Sequence, residues 1–538
     1  MQIPAVIDRP FAVEEGPRVL ISQFRFPDAR DLPQAGLRVA DVQQLVDGLR
    51  DKRPEGFTIG QLQEVADEVT KFYREKGLIL AQAVLPVQQI QEGIVNIQIF
   101  EGRLGRVLTE GNEIYDTALL QAPFEKLVGE PVTKDSIETA LLQLTDFPGL
   151  TVFGVFQPGQ LVGTADIVLR AQEEKRFDVS YRVDNHGLPE TGIVRFRPVI
   201  EWNNPTGGAD KVTLTLQETW RPKNNLYWSG DYERFLYPGW KGGATYNNND
   251  FDVGGKLAAR HISGKTHEIG AWIDKAWFRS RQFNLSSRVE LDHKESRTFT
   301  GGRETNEDRL SVFKLEGTLD YVDTRFKGLN FATAEFSHGV NDLIKAMGSS
   351  DSAKRQPSYS RPSRVGGSTK FASGEFSKLF FTGSRLQTLP KNLTLLVRGE
   401  FQWSNDLLVP LEQYSVGGPD NVRAYPPAQF LLDRVLFLSA ELIEKMPFIT
   451  EVPAFGNRTW GELLQFSAFY DFAMGSLNDP LDSEPQGFVN FGGAGIQARF
   501  TLPGSIESRL IWAWKTTGRQ EQDNGREPQI WGDLTYRF

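Results

Sequence analysis

Beyond about Lys175 the chain settles into a two-residue alternation of apolar and polar positions. Phe177, Val179, Tyr181 and Val183 interleave with Asp178, Ser180, Arg182 and Asp184, and Val212, Leu214 and Leu216 with Thr213, Thr215 and Gln217. Leu315, Leu319 and Tyr321 alternate with Glu316, Thr318 and Asp320, and Leu393, Leu395, Val397 and Phe401 with Thr394, Arg398, Glu400 and Gln402. The chain ends on Ile530, Leu534, Tyr536 and Phe538 against Asp533, Thr535 and Arg537. Period two is the signature of strands. Counting such runs, with fainter ones near 191–203, 242–260 and 364–382, predicts about 16 antiparallel strands, an even number in the range of membrane barrels. Polar stretches such as 345–367 and 476–486 read as loops. A soluble sandwich would bury its apolar face, but here the second face is charged strand after strand. A closed sheet of this size encloses a polar, hydrated lumen; a propeller is the alternative.

The first third has a different rhythm. A short extended run at Arg18–Phe26 precedes Val42, Leu45, Val46 and Leu49 at helical spacing. A second helix opens at Thr58 with Gln61 three residues on, and Ile59, Leu62, Val65, Val69, Phe72 and Tyr73 form its apolar face. Two β-rich runs, Leu78–Val87 and Ile94–Ile99, end at Glu101-Gly102. The order strand, helix, helix, strand, strand then recurs: Arg103–Thr109, Tyr115–Glu125, a helix opened by Thr133, Thr151–Phe156 and Thr164–Leu169. Such recurrence predicts a tandem module, the alternative being a single α+β domain. The sheet edges at Thr164–Leu169 and Ile94–Ile99 are candidates for accepting an extended segment of another chain.

Composition narrows the function. At 538 residues, two or more domains are expected. With 60 Lys and Arg against 69 Asp and Glu, a net charge of -9, the chain lacks the cationic footprint of a nucleic-acid binder. The absence of Cys excludes disulfides, thiolate metal sites and a cysteine nucleophile. Mean hydropathy of -0.37 and the lack of a long apolar run argue against a membrane helix. Neither argues against a barrel, whose alternating strands average to low hydropathy, and 37 Phe, 11 Trp and 13 Tyr suit one. The N-terminal Met-Gln-Ile-Pro-Ala has no basic and apolar signal regions, so any export signal is expected to have been removed.

No catalytic residue, cofactor site or metal site is predicted. His186, His261, His267, His293 and His338 are scattered, with no His-Glu-x-x-His, and neither Gly-x-Ser-x-Gly nor Gly-x4-Gly-Lys occurs. Gly493-Ala494-Gly495-Ile496-Gln497-Ala498 loosely matches a dinucleotide fingerprint but lies inside the strand-like run 487–500. Acidic pairs on the polar faces hydrate a water-lined barrel and do not imply a glycosidase.

The stretch Val416–Pro427 is the exception among the loops. It carries one cation, Arg423, among glycines, prolines and Asn/Asp, as befits a turn shaped to hold a guanidinium against a carboxylate. An exposed loop cation is the other reading.

Two small modules, a barrel of about 16 strands and a Val-Arg-x-Tyr motif in a late loop resemble the outer-membrane transporters of two-partner secretion, the ShlB/FhaC/HecB-like TpsB family of the BamA superfamily. The resemblance covers nearly the whole chain. It implies α+β tandem POTRA domains followed by an all-β transmembrane barrel, divided as 1–16 N-terminal segment, 17–101 and 102–174 POTRA domains, and 175–538 barrel with an inward-folding loop at 405–428. The POTRA domains would lie in the periplasm and the barrel in the outer membrane. The gating motif would be Gly417, Gly418, Val422, Arg423, Ala424 and Tyr425, with Arg423 pairing to Asp471 in Phe469–Gly475. Strand parity agrees: Leu464, Phe466, Ala468, Tyr470 and Phe472 share one face, which leaves Gln465, Ser467, Phe469 and Asp471 toward the lumen. Phe177 and Phe538 would mark the barrel seam.

Two departures stand out. Ala424 replaces the family's Gly, so positive φ is less accessible there, and only about 16 residues precede the first strand, which leaves the family's plug helix in question. The implied function is secretion of a large TpsA-type exoprotein, captured unfolded by the POTRA domains and passed through the lumen. The implied partners are that exoprotein, outer-membrane lipid and the machinery that inserts the barrel. A BamA-type assembly insertase and a passive porin with periplasmic binding modules are the alternatives.

Overall fold

The computed structural model describes residues 16–350, 361–445, 449–518 and 527–538. The N-terminal segment 1–16 lies outside them except for Gly16, as does the 351–360 part of the loop read at 345–367. The chain divides into two compact units between Lys175 and Arg176.

In the first unit, the apolar stripes of helices Val39–Asp51 and Ile59–Glu75 build a core with Phe24, Tyr73, Val95 and Ile97. A capping box fixes the second helix: the Thr58 hydroxyl accepts from the Gln61 amide at 3.2 Å and the Gln61 side chain accepts from the Thr58 amide at 3.0 Å. The strands of this half are short. Gln23–Arg25 runs parallel to Ile94–Asn96, and Gln82–Val84 antiparallel to Gln98–Phe100. The run expected at Leu78–Val87 is cut because Leu78–Ala81 turns back after the helix, with the Leu78 amide on the Tyr73 carbonyl and the Ala81 amide on the Leu78 carbonyl. Of Arg18–Phe26 only Gln23–Arg25 is a strand, Val19 bridging to Phe57 instead.

The same element order follows after Gly102. Strand Arg103–Glu110 precedes helix Thr117–Gln121, a 3-10 turn Ala122–Leu127 that holds Pro123, and helix Lys134–Thr145 capped by Thr133. Strand Thr164–Glu174 is the centre of the three-stranded sheet, parallel to Arg103–Glu110 and antiparallel to Leu150–Pro158. The expected docking edge at Thr164–Leu169 is therefore wrong, because both sides of that strand are already hydrogen-bonded; the edges are Arg103–Glu110 and Leu150–Pro158. Ile94–Asn96 is likewise engaged along one side by Gln23–Arg25.

A bulge in this sheet explains a buried charge. The register of Arg103–Glu110 on its parallel neighbour shifts between Leu104 and Val107. Asp166 fills the gap, accepting from the Arg106 amide at 2.9 Å and from its guanidinium at 3.0 and 2.6 Å. Gly105 makes room, since a Cβ there would lie 2.6 Å from the Asp166 carboxylate.

The second unit is a closed barrel of sixteen antiparallel strands from Phe177–Asp184 to Gln529–Arg537. Its outer face exposes Leu214, Trp228, Ile269, Leu315, Phe331, Leu379, Tyr470, Ile496 and Leu534, the apolar half of each alternation. Charged pairs line the inside, such as Lys314–Asp292 at 2.5 Å and Arg509–Asp533 at 2.8 Å. Two faint strands differ from expectation. The region 242–260 splits into strand Trp240–Asp252 and a 3-10 turn Gly255–Arg260, and the strand expected at 364–382 starts only at Phe376. First and last strands join over five register pairs, from Asp533↔Asp184 to Arg537↔Ser180, and the Phe538 amide donates to the Val179 carbonyl at 2.9 Å. Phe177 lies outside that register and pairs with Trp202 on the second strand.

The Arg106 guanidinium, hydrogen-bonded to Asp166, holds its carboxyl below the usual carboxylate range. A depressed carboxyl stabilises the fold above its unfolded pKa of about 4 and loses that contribution as pH falls through the lower folded value. Arg106 is half exposed, so Asp166→Asn is expected to cost about 1–2 kcal/mol at neutral pH. Hydrogen exchange of Thr164–Glu174 amides in the full chain checks it; the difference from wild type should vanish in acid.

Candidate functional site

Residues 405–433 connect strands Leu393–Ser404 and Arg434–Lys445 and fold into the lumen. Val422, Arg423, Ala424 and Tyr425 are all buried, with at most 2 % exposure. A small hairpin, Tyr414–Val416 against Phe430–Leu432, forms the base of this excursion. Its tip is shaped by the turn residues. Gly417 and Gly418 adopt φ of 105° and 101°, a region that L side chains rarely enter. A Cβ on Gly417 would strike the Pro426 carbonyl. The Asn421 side chain accepts from the Gly417 amide at 2.7 Å and the Val422 amide at 2.5 Å, and the Gly418 amide donates to the Tyr425 carbonyl at 2.8 Å.

The guanidinium of Arg423 meets two carboxylates. Its Nε and Nη2 donate to the two oxygens of Asp471 at 2.8 Å each, its backbone amide donates to the same carboxylate at 3.1 Å, and Nη1 donates to Glu441 at 2.6 Å. Ser439 donates to Asp471 at 2.8 Å, and Ser467 and Gln497 donate to Glu441 at 2.7 and 3.1 Å. The guanidinium carbon lies 3.3 Å from the centre of the Phe469 ring. The Arg423 carbonyl accepts from Trp531 Nε1 on the last strand at 2.7 Å. Asp471 is fully buried and Glu441 is 4 % exposed. The site therefore holds the Arg423 guanidinium tightly.

Around this pocket the lumen is not polar. Val416, Val422, Ala424 and Tyr425 of the loop pack with Phe437, Phe469, Phe491, Ile511, Ala513 and Trp531 of the wall. Tyr425 stands edge-on to Phe491 at 5.4 Å, and its hydroxyl donates to the Thr517 carbonyl at 2.5 Å. Ala424 is accommodated without positive φ. Its methyl faces Gly493, where a Cβ would lie only 2.5 Å away. The glycine run that loosely resembled a nucleotide fingerprint thus belongs to strand Val489–Leu502, where Gly493 admits the loop and Gly495 admits the Phe469 ring.

From the far end of the barrel, segment 361–375 lies over the loop. Buried Arg364 donates to Asp433 at 2.6 Å, the Leu408 carbonyl at 2.8 Å and the Asn478 carbonyl at 3.1 Å. The structure brings Gly417, Gly418, Val422, Arg423, Ala424, Tyr425 and Asp471 together, whereas Phe177 and Phe538 lie at the foot of the barrel wall. Sequence reasoning missed Glu441, Ser439 and Trp531. The signal for the first two was there: they share the lumen parity of strand Arg434–Lys445, with Leu438 and Leu442 on the outside, and in register Ser439 faces Asp471.

Because the chain lacks Cys, Val422→Cys gives a single thiol at the loop tip. It should resist maleimide in the wild-type background and react once Gly493→Leu drives Ala424 off the wall, while Ala424→Gly should leave it protected.

Comparison with known proteins agrees with this architecture. Residues 163–449 match the family model of haemolysin secretion/activation protein ShlB/FhaC/HecB, and residues 21–102 match the ShlB-type POTRA domain. The heme/hemopexin transporter protein HuxB of Haemophilus influenzae is 24 % identical over 422 residues, 78 % of this chain and 70 % of HuxB. The solved structure of CdiB from Escherichia coli superposes with a TM-score of 0.74 at 19 % identity, covering 99 % of this chain and 93 % of that one. BamA from Haemophilus ducreyi, lacking POTRA domains 1–3, gives a TM-score of 0.54 at 14 % identity, over 97 % of this chain and 100 % of that one. A POTRA domain ahead of a sixteen-stranded barrel, together with a family match over more than half its length, places the chain in the ShlB/FhaC/HecB family of two-partner secretion transporters of the outer membrane.

Proposed function

We propose that this transporter passes one large exoprotein, unfolded, through its lumen, and that the Arg423 loop is the gate it must displace. Residues 102–174 act as a second POTRA domain, and both modules hold the exoprotein in the periplasm before passage. The edge strand Leu150–Pro158 offers an extended chain unpaired backbone groups. The chain carries out no catalysis. Outer-membrane lipid covers the apolar outer wall, and assembly machinery inserts the barrel.

The observation that carries this reading is the buried Arg423–Asp471–Glu441 network on a loop that occupies the lumen. Buried charges are stable only when paired, and removing one partner of such a set costs about 3–5 kcal/mol in a dry interior, less where water reaches. An element held this way stays in one place yet can be released when its partners change.

Because a loop without its cation no longer returns to one position between openings, Arg423→Ala is expected to lower secretion of the exoprotein while leaving the barrel folded and its membrane level unchanged. Secretion equal to wild type at matched levels would refute the gate. Depleting the protein separates the wider readings. Loss of one large secreted protein supports transport, loss of many outer-membrane barrels would indicate an insertase, and loss of small-solute uptake a porin.

A further inference from the structure

The loop carries a second buried charge, of opposite sign and held by a different part of the wall. Glu412 is 2 % exposed and stands just ahead of the hairpin strand Tyr414–Val416. Its Oε2 accepts from Lys378 Nζ at 2.6 Å, and its Oε1 lies 3.0 Å from Lys294 Nζ. The backbone around it is fixed as well. The Glu412 amide donates to the Val409 carbonyl at 2.9 Å, and its own carbonyl accepts from Gln402 Nε2 at 3.2 Å.

The two lysines come from strands Phe283–Thr300 and Phe376–Thr388, the seventh and tenth of the ring. The partners of Arg423 come from the twelfth, thirteenth and sixteenth. Lys294 and Lys378 are themselves only 12 % and 11 % exposed. Glu268 lies 3.5 Å from Lys294, and the Lys314–Asp292 pair adjoins it, so Glu412 enters a sector of alternating charges in which its two direct partners are ammonium groups. A carboxylate taken out of water without partners is costly; here the wall supplies two ammonium groups.

The signs matter. The loop presents a cation to a wall sector with an acidic pair and an anion to a wall sector with a basic pair. Turned end for end, it would set like charges against each other, which costs several kcal/mol at desolvated contacts. The charge pattern therefore favours the observed placement of the loop over the reverse.

We propose that Glu412 is a second positioning residue of the inward loop, an anionic latch held by Lys294 and Lys378, and that the lumen opens only when this latch and the Arg423 latch have both released. The proposal rests on reading the loop as a gate, but its test does not depend on the cargo. Ionic conductance of the full-length protein in planar lipid bilayers reports whether the loop fills the lumen.

Glu412→Gln keeps the shape and removes the charge, and is expected to raise the fraction of time the pore conducts by about tenfold. Lys378→Gln should shift it in the same direction, Glu412→Asp should stay near wild type, and Glu412→Gln combined with Arg423→Ala should exceed either alone. Heat-modifiable migration in SDS gels establishes that each barrel is folded. A purely structural role would lower the melting point of that migration without changing conductance, and would overturn the proposal. So would wild-type conductance in both Glu412→Gln and Lys378→Gln, even if secretion still depends on Arg423. Should Glu412→Gln fail to fold, Lys294→Gln and Lys378→Gln, which each leave one ammonium partner, decide the matter. A conductance rise accompanied by unchanged secretion in Arg423→Ala would keep the latch and discard the secretion gate.

Discussion

One guanidinium placed between two buried carboxylates constrains most of what surrounds it. Arg423 reaches Asp471 and Glu441 from inside the lumen, because the chain leaves the sheet after Ser404 and returns at Arg434. The tip must then reverse direction tightly, which demands the positive φ of Gly417 and Gly418. Strand Val489–Leu502 must lack side chains where the tip arrives, which is why Gly493 faces Ala424. Turn chemistry, strand composition and the local polarity of the lumen all accommodate this one charge pairing.

The same constraint explains how Ala424 fits where the resemblance implies Gly. In this chain position 424 needs little volume more than it needs freedom of backbone. Ala424 keeps an ordinary φ and adds one methyl against a wall with none, so the pair shares space that two Cβ atoms could not. The expectation that Ala would restrict the loop treated the backbone alone and neglected the opposing strand.

Much of this was legible from the chain. Period-two alternation gave the strand count because each wall position has only two environments, and parity placed Asp471 inward without knowledge of the fold. The capping box at Thr58 and Gln61 marked a helix because its chemistry is local. What escaped were features set by contacts distant in sequence. Glu441 reads as an ordinary lumen carboxylate until strand pairing brings it near Asp471. Sheet order cannot be read from strand order, so Thr164–Leu169 passed for an edge although it is central. Lumen-facing Phe469, Ile511 and Trp531 were the one overt hint that a sector of the lumen is filled, because an apolar residue facing water in a wide barrel has no other reason to be there.

The loop is held by two kinds of force, and in the proposed gate these respond differently to a passing chain. Val422, Tyr425 and Leu432 are almost fully buried, and at about 1.5–3 kcal/mol for each large apolar side chain they contribute as much as the ion pairs. Water entering the pocket weakens the charge pairs steeply, since their strength depends on low local dielectric. Apolar contacts are insensitive to that change and persist until another apolar surface replaces them. Hydration alone therefore loosens Arg423 without freeing the loop. An unfolded polypeptide supplies both what water lacks and what the wall would lose, namely polar backbone to solvate the charges and apolar side chains to cover Phe469, Phe491 and Trp531. A small solute supplies neither, so under the proposed gate the chemistry of release would favour a protein chain over a small solute.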